Sequence, residues 1–195
     1  MQAAVTVLIL IVVLAVILVR QRRNRKISVI VAPRFATLNL KGAEGEALVQ
    51  ADTLALKTVL GAAKRSTTIA PKCDVLFLYS DLSADGRIAS TQMWLGELVR
   101  ASGATILVVA SENPGPAYNA SKGPGYGRVN IVMTLARRGE AFPRFFVRLF
   151  EDMKRGAPMP MAWVKIAPQG PVPEHNELPS TIFTCMAGGL RFRAA

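Results

Sequence analysis

Two short segments hold the residues best suited to chemistry. Ser80-Asp81-Leu82-Ser83-Ala84-Asp85-Gly86 follows one apolar run, and Ser111-Glu112-Asn113-Pro114-Gly115 follows the next. If the two runs are neighbouring strands, Asp81, Asp85 and Glu112 meet at one rim. Two carboxylates there can divide the roles of general acid and base, or hold a divalent cation through oxygen ligands. The same residues also suit a binding rim made of Ser80, Asp81, Ser111, Glu112 and Asn113. A third use is structural, because Asp-Gly pairs make turns and Ser or Asp caps helices.

Other candidates lack the context their chemistry needs. Gly123, Gly125 and Gly127 in KGPGYGR precede an apolar run instead of leaving a strand to open a helix, and there is no GxxxxGK[ST] segment, so no nucleotide cofactor is implied. His175 is the only histidine and sits in the proline-bounded PVPEHNELP. Cys73 and Cys185 are too few for a disulfide framework and have no zinc-like spacing, so no metal site is expected from them. The sequence names no cofactor.

The elements that must position these loops follow from periodicity. Residues 27–32 (ISVIVA) are expected as a strand ended by Pro33, and 44–64 as a helix with apolar residues at spacings of three and four. Continuous apolar runs at 74–80 (DVLFLYS) and 105–110 (TILVVA) suit strands covered on both faces, with a helix at 92–101 between them. Residues 113–127 form a loop, 130–135 a strand and 141–155 an amphipathic helix; 161–167 and 181–186 are expected as strands. Alternating strands and helices imply an α/β fold: a mainly parallel sheet with helices on both faces, in a Rossmann-like three-layer arrangement. Its functional crevice lies beyond the carboxyl ends of the strands.

The chain begins differently. Residues 3–19 are apolar apart from Thr6, and Arg20, Arg22, Arg23, Arg25 and Lys26 follow at once. At 1.5 Å per residue this run covers roughly 25 Å, close to the ~30 Å of a bilayer core. The expectation is a transmembrane anchor at 1–19, a basic juxtamembrane collar at 20–26 that attracts anionic headgroups, and an α/β domain at 27–195. The collar places the N-terminus outside a cell membrane and the domain in the cytoplasm, as a single-pass protein partnered by the lipid bilayer. Taking the five collar residues from the net charge of +11 leaves +6. No element interleaves basic residues with stacking aromatics, so there is no specific nucleic-acid signal.

From 74 to about 165 the chain resembles the caspase-like peptidases, particularly their bacterial CHAT-type branch. DVLFLYSDLSADGRIASTQMWLGELVRASGATILVVASENPG is similar to the block in which one strand of that family ends in His-Gly and the next in a Ser-Ala-Cys-Glu-type segment. NIVMTLARRGEAFPRFFVRLFEDMKRG is similar to the strand and helix that follow. In that family the His and Cys attack a peptide bond; the matching positions here are Asp81, or Leu82, and Glu112. A carboxylate cannot stand in for a thiolate nucleophile and its imidazole base without changing the mechanism. The resemblance therefore implies a non-catalytic relative that binds a protein partner or a ligand. The alternative is a hydrolase or transferase, with or without a metal, using Asp81, Asp85 and Glu112.

Overall fold

The computed structural model describes residues 28–112, 117, 127, 129–136, 139–167 and 180–193. In chain order the described elements are strands β1 (Val29–Val31) and β2 (Phe35–Asn39), a short 3-10 helix (Gly42–Gly45), helix α1 (Glu46–Leu60), and strands β3 (Ala63–Ser66) and β4 (Val75–Tyr79). Helix α2 (Leu95–Ser102) and strands β5 (Ile106–Val109) and β6 (Asn130–Ala136) follow, then helices α3 (Ala141–Lys154) and α4 (Met159–Ile166) and strands β7 (Ser180–Thr184) and β8 (Arg191–Arg193).

Six strands make the main sheet in the order β3-β2-β4-β5-β6-β7. The first five are parallel, and β7 closes one edge antiparallel to β6. The runs at 74–80 and 105–110 do become neighbours, with Val75 opposite Ile106 and Leu78 opposite Val109. Alternate residues of each central strand feed two cores. Val75, Phe77, Tyr79, Ile106 and Val108 face α1, α3 and α4. Leu76, Leu78, Leu107 and Val109 face α2. Burial on both sides is why these strands read as unbroken apolar runs.

The aromatic core explains the position of α3. Its phenylalanines recur at spacings of three and four, which puts Phe142, Phe146 and Phe150 on one stripe. All three rings meet Phe77, at centroid distances of 6.2, 5.2 and 6.3 Å. Phe35 of β2 closes on Phe77 from the neighbouring strand at 5.6 Å.

Several expectations are corrected. Among the described residues no helix is long and apolar enough to cross a membrane. The transmembrane helix is therefore withdrawn from the fold class, and with it the single-pass topology and the cytoplasmic placement that rested on it. The expected anchor at 1–19 and the collar Arg20, Arg22, Arg23, Arg25 and Lys26 lie outside the described residues. The sheet is mixed, since β7 runs against its neighbour. Residues 161–167, expected as a strand, belong to α4. Pro158 and Pro160 open that helix, where a missing N–H costs nothing. Met159, Ala162, Trp163 and Ile166 pack inward at helical spacing. The first expected strand, β1, leaves the main sheet and pairs in parallel with β8. Strands β2, β3 and β8 were not anticipated, although β2 holds a central place.

Two measurements test this packing. Phe77→Ala removes the ring that four others touch, and a loss of about 3–5 kcal/mol in urea-unfolding stability is expected. Acid sensitivity comes from carboxylates paired in the fold. Asp152, nearly buried between α3 and α4, accepts hydrogen bonds from Lys165 and Arg155; the Lys165 hydrogen bond first, then the charges of both and the Arg155 hydrogen bond, outweigh the opposing effect of burial and hold its pKa below the usual value. A lowered folded pKa gives stability that is fully present above the unfolded value near 3.9 and is lost as pH falls through the folded value. The urea midpoint should accordingly drop between pH 5 and pH 2, and Asp152→Asn should drop less over that window than the parent chain.

Candidate functional site

The sheet order fixes where a crevice opens. The first strand of the main sheet, β2, sits between the second and third, β3 and β4, so the connections leave β2 and β4 toward opposite faces. At such a switch point the carboxyl ends of the strands part and admit a ligand. The chain beyond β2 supplies Lys41, that beyond β4 supplies Asp81, and that beyond β5 supplies Ser111 and Glu112. With Leu48 and Ala110, these four residues line a cavity of about 480 Å³.

Local hydrogen bonds hold each contributor. Leu40 N–H donates to the Tyr79 carbonyl (2.9 Å) and Ala110 N–H to the Leu78 carbonyl (2.7 Å), extending the ladder past the strand ends. Asn39 shapes the turn that bears Lys41. Its amide donates to the Gly42 carbonyl and to Glu46, both at 3.1 Å, while its Oδ1 accepts the Lys41 N–H at 3.0 Å. Gly45 lets this turn close, because a Cβ there would come within 3.0 Å of Asn39 Oδ1 and 2.9 Å of Lys41 Cβ. Deeper in the sheet, the Tyr79 hydroxyl donates to Asp52 of α1 at 3.1 Å.

Asp81 is the electrostatic centre. Its Oδ1 accepts a hydrogen bond from the buried Ser111 hydroxyl and lies 3.0 Å from the Lys41 ammonium. Partial burial pushes its pKa up, but the Ser111 and Lys41 hydrogen bonds and the Lys41 charge prevail and leave it below the ordinary carboxylate value. An ionised carboxylate of low pKa is a good hydrogen-bond acceptor and a weak base, poorly matched to drawing a proton from a serine hydroxyl at neutral pH. Asp81 is thus set to accept hydrogen bonds rather than to act as a base toward Ser111.

The candidate residues separate into groups. Asp81, Ser111 and Glu112 share the cavity. Ser80 does not line it; it is buried, with its hydroxyl donating to the Asp81 carbonyl at 3.2 Å. Asp85 does not line it: it accepts from Ser83 and pairs with Arg87 at 3.2 Å, bracing a tight turn around Gly86. The Ser83 hydrogen bond leads the causes that lower its pKa. The three-carboxylate set of the enzyme alternative is therefore not gathered in this cavity, and among the described residues no group of three His, Cys, Asp or Glu could hold a metal ion. Asn113 and His175 lie outside the described residues. Lys41 was missed by sequence reasoning because β2 itself was missed; once β2 is placed, the sheet order sets its end beside that of β4.

No protein-family model and no curated protein matches the chain.

The thiols stand away from this cavity. Cys73 is fully buried just ahead of β4, at the opposite end from the crevice, and burial pushes its pKa up to about 12. Cys185 is exposed just past β7, and partial burial of its thiol raises its pKa as well. Iodoacetamide at pH 7.5 should label Cys185 slowly and leave Cys73 unmodified until urea unfolds the domain, as read by peptide mass spectrometry. Rapid native labelling of Cys73 would refute this placement.

Proposed function

We propose that the chain works as a binding domain, a non-catalytic relative of the caspase-like peptidases, and that its strand-end crevice takes a peptide-like ligand carrying a cationic group. One observation carries the reading: Lys41 and Asp81 neutralise each other at 3.0 Å, which leaves Glu112 as the lining charge without a partner among the described residues. A guanidinium or ammonium reaching Glu112 gains a charge-assisted hydrogen bond, while Lys41, Asp81 and Ser111 offer polar groups to a peptide backbone. The cavity volume is in the range of small-ligand sites. The likeness to the peptidase family supports a peptide as ligand, since the strand ends bearing Asp81 and Glu112 match those that carry its dyad.

Calorimetric titration of the full chain with acetyl-alanyl-arginine amide tests the proposal. Binding by the parent chain should weaken about tenfold or more in Glu112→Gln, with circular dichroism unchanged. Equal affinity in parent and variant would overturn it. Release of arginine amide or ammonia from the probe, lost in Glu112→Gln, would also overturn it and assign carboxylate chemistry to the crevice.

A further inference from the structure

A second cavity of about 480 Å³ lies at the other end of the molecule, lined by Val29, Lys154, Arg155, Arg191, Phe192 and Arg193. Helix α3 starts beyond the carboxyl end of β6 and runs back along the sheet, so its last residue, Lys154, is remote from the Asp81 crevice. Asn130, the first residue of β6, confirms the direction: its amide reaches Met159 and the Ala187 carbonyl, and Met159 N–H donates to the Leu190 carbonyl at 2.7 Å just ahead of β8.

The two-stranded sheet of β1 and β8 gives this cavity its character. Val29 pairs with Arg191, Ile30 with Phe192 and Val31 with Arg193. Since side chains alternate across a strand, Ile30 and Phe192 turn into the core while Val29, Val31, Arg191 and Arg193 share the outer face. Val29 and Val31 remain 43% and 56% exposed. Arg155 is engaged by Asp152 and Glu151. Among the described residues no carboxylate pairs with Lys154, Arg191 or Arg193. Lys154 has a local use, as a cation in the last turn of α3. Among the described residues the two arginines of β8 have none.

We propose that this outer face docks an acidic, extended peptide segment of a protein partner. Arg191 and Arg193 lie two residues apart on one strand, about 6.6 Å, and alternate residues of an extended peptide repeat at the same interval. Acidic side chains at alternate positions share the inner face of the peptide and meet the two guanidiniums in turn, and their methylene stems lie over Val29 and Val31. A single-stranded nucleic acid fits less well, because the one aromatic residue of the lining, Phe192, is buried and leaves bases nothing to stack on.

The test uses the full chain and a fluorescein-labelled heptapeptide alternating glutamate and valine, followed by anisotropy. Binding should weaken as salt rises, and about tenfold or more in the double variant Arg191→Glu, Arg193→Glu. Val29→Ser with Val31→Ser, a milder change, should weaken it by a smaller factor while circular dichroism stays unchanged. Glu112→Gln should leave it unaltered, which separates this surface from the crevice. Replacing Arg20, Arg22, Arg23, Arg25 and Lys26 by glutamine should preserve most of the binding. The proposal is overturned if that replacement abolishes binding while the β8 double variant does not, or if an oligouridine of equal charge binds more tightly than the peptide.

Discussion

The contact on which the remaining architecture depends is the edge-on packing of Phe77 against the stripe of phenylalanines on α3. Phe77 is fully buried in the third strand of the main sheet, flanked by β2 on one side and β5 on the other. Its ring meets Phe142, Phe146 and Phe150 at interplanar angles of 74–89°, which place hydrogen edges against ring faces and fix rotation as well as distance. With α3 fixed along its length, α4 can dock through Trp163 on Phe145, at 5.0 Å, and β8 through Phe192 on Phe150, at 5.6 Å. The crevice at one end and the basic face at the other are thus spaced by a single helix clamped to a single strand.

Polar links set the ends of the strands where apolar packing cannot. At the amino ends, Arg34 grips the Asp74 carboxylate through its backbone N–H, Nε and Nη2, and Asp74 and Val75 N–H groups both donate to the Arg34 carbonyl. The Asp74 carbonyl then accepts from Thr105 and Ile106. Three strands are thereby aligned by one residue pair, and the Arg34 hydrogen bonds hold Asp74 below the usual carboxylate range. At the carboxyl ends Asn39 and Asp81 do the corresponding work, with the difference that Asp81 stays 60% exposed and remains able to meet a ligand.

How much of this was legible in the chain depends on what each segment packs against. Strands β4 and β5 and helix α3 are buried so fully that composition and period reveal them, and the rim residues Asp81, Ser111 and Glu112 follow from where those strands stop. Strand β2 escaped because Thr37 and Asn39 interrupt its apolar pattern. Asn39 is buried for its hydrogen bonds to the α1 turn, a reason invisible before the turn exists. Strand β3, AKRS, has no apolar signature, since it is an edge strand paired with β2 and tied to α1 by the Arg65–Glu46 ion pair. Helix α4 reads as a strand because MAWVKI is a short apolar run broken only by Lys165; its helical period appears only when Met159 and Pro160 are counted with it. In each case a tertiary partner decided between two local patterns.

The placement of charge at the two ends follows from the direction of the helices. Parallel strands with right-handed crossovers put helix amino ends beside the crevice and carboxyl ends opposite it. Glu46 in the first turn of α1 and Lys154 in the last turn of α3 are therefore what the backbone dipoles favour, although both ends also carry charges of the other sign, Lys41 at the crevice and Asp152 at the far end. Glu112 at the crevice and Arg191 and Arg193 at the far face have no ion-pair partner among the described residues and serve no helix. Dipole compensation accounts for the first two residues and leaves the other three unexplained. A charge that completes no contact among the described residues is free to meet an external one, and that is the common ground of the two proposals: a cationic ligand for Glu112 and an acidic one for Arg191 and Arg193.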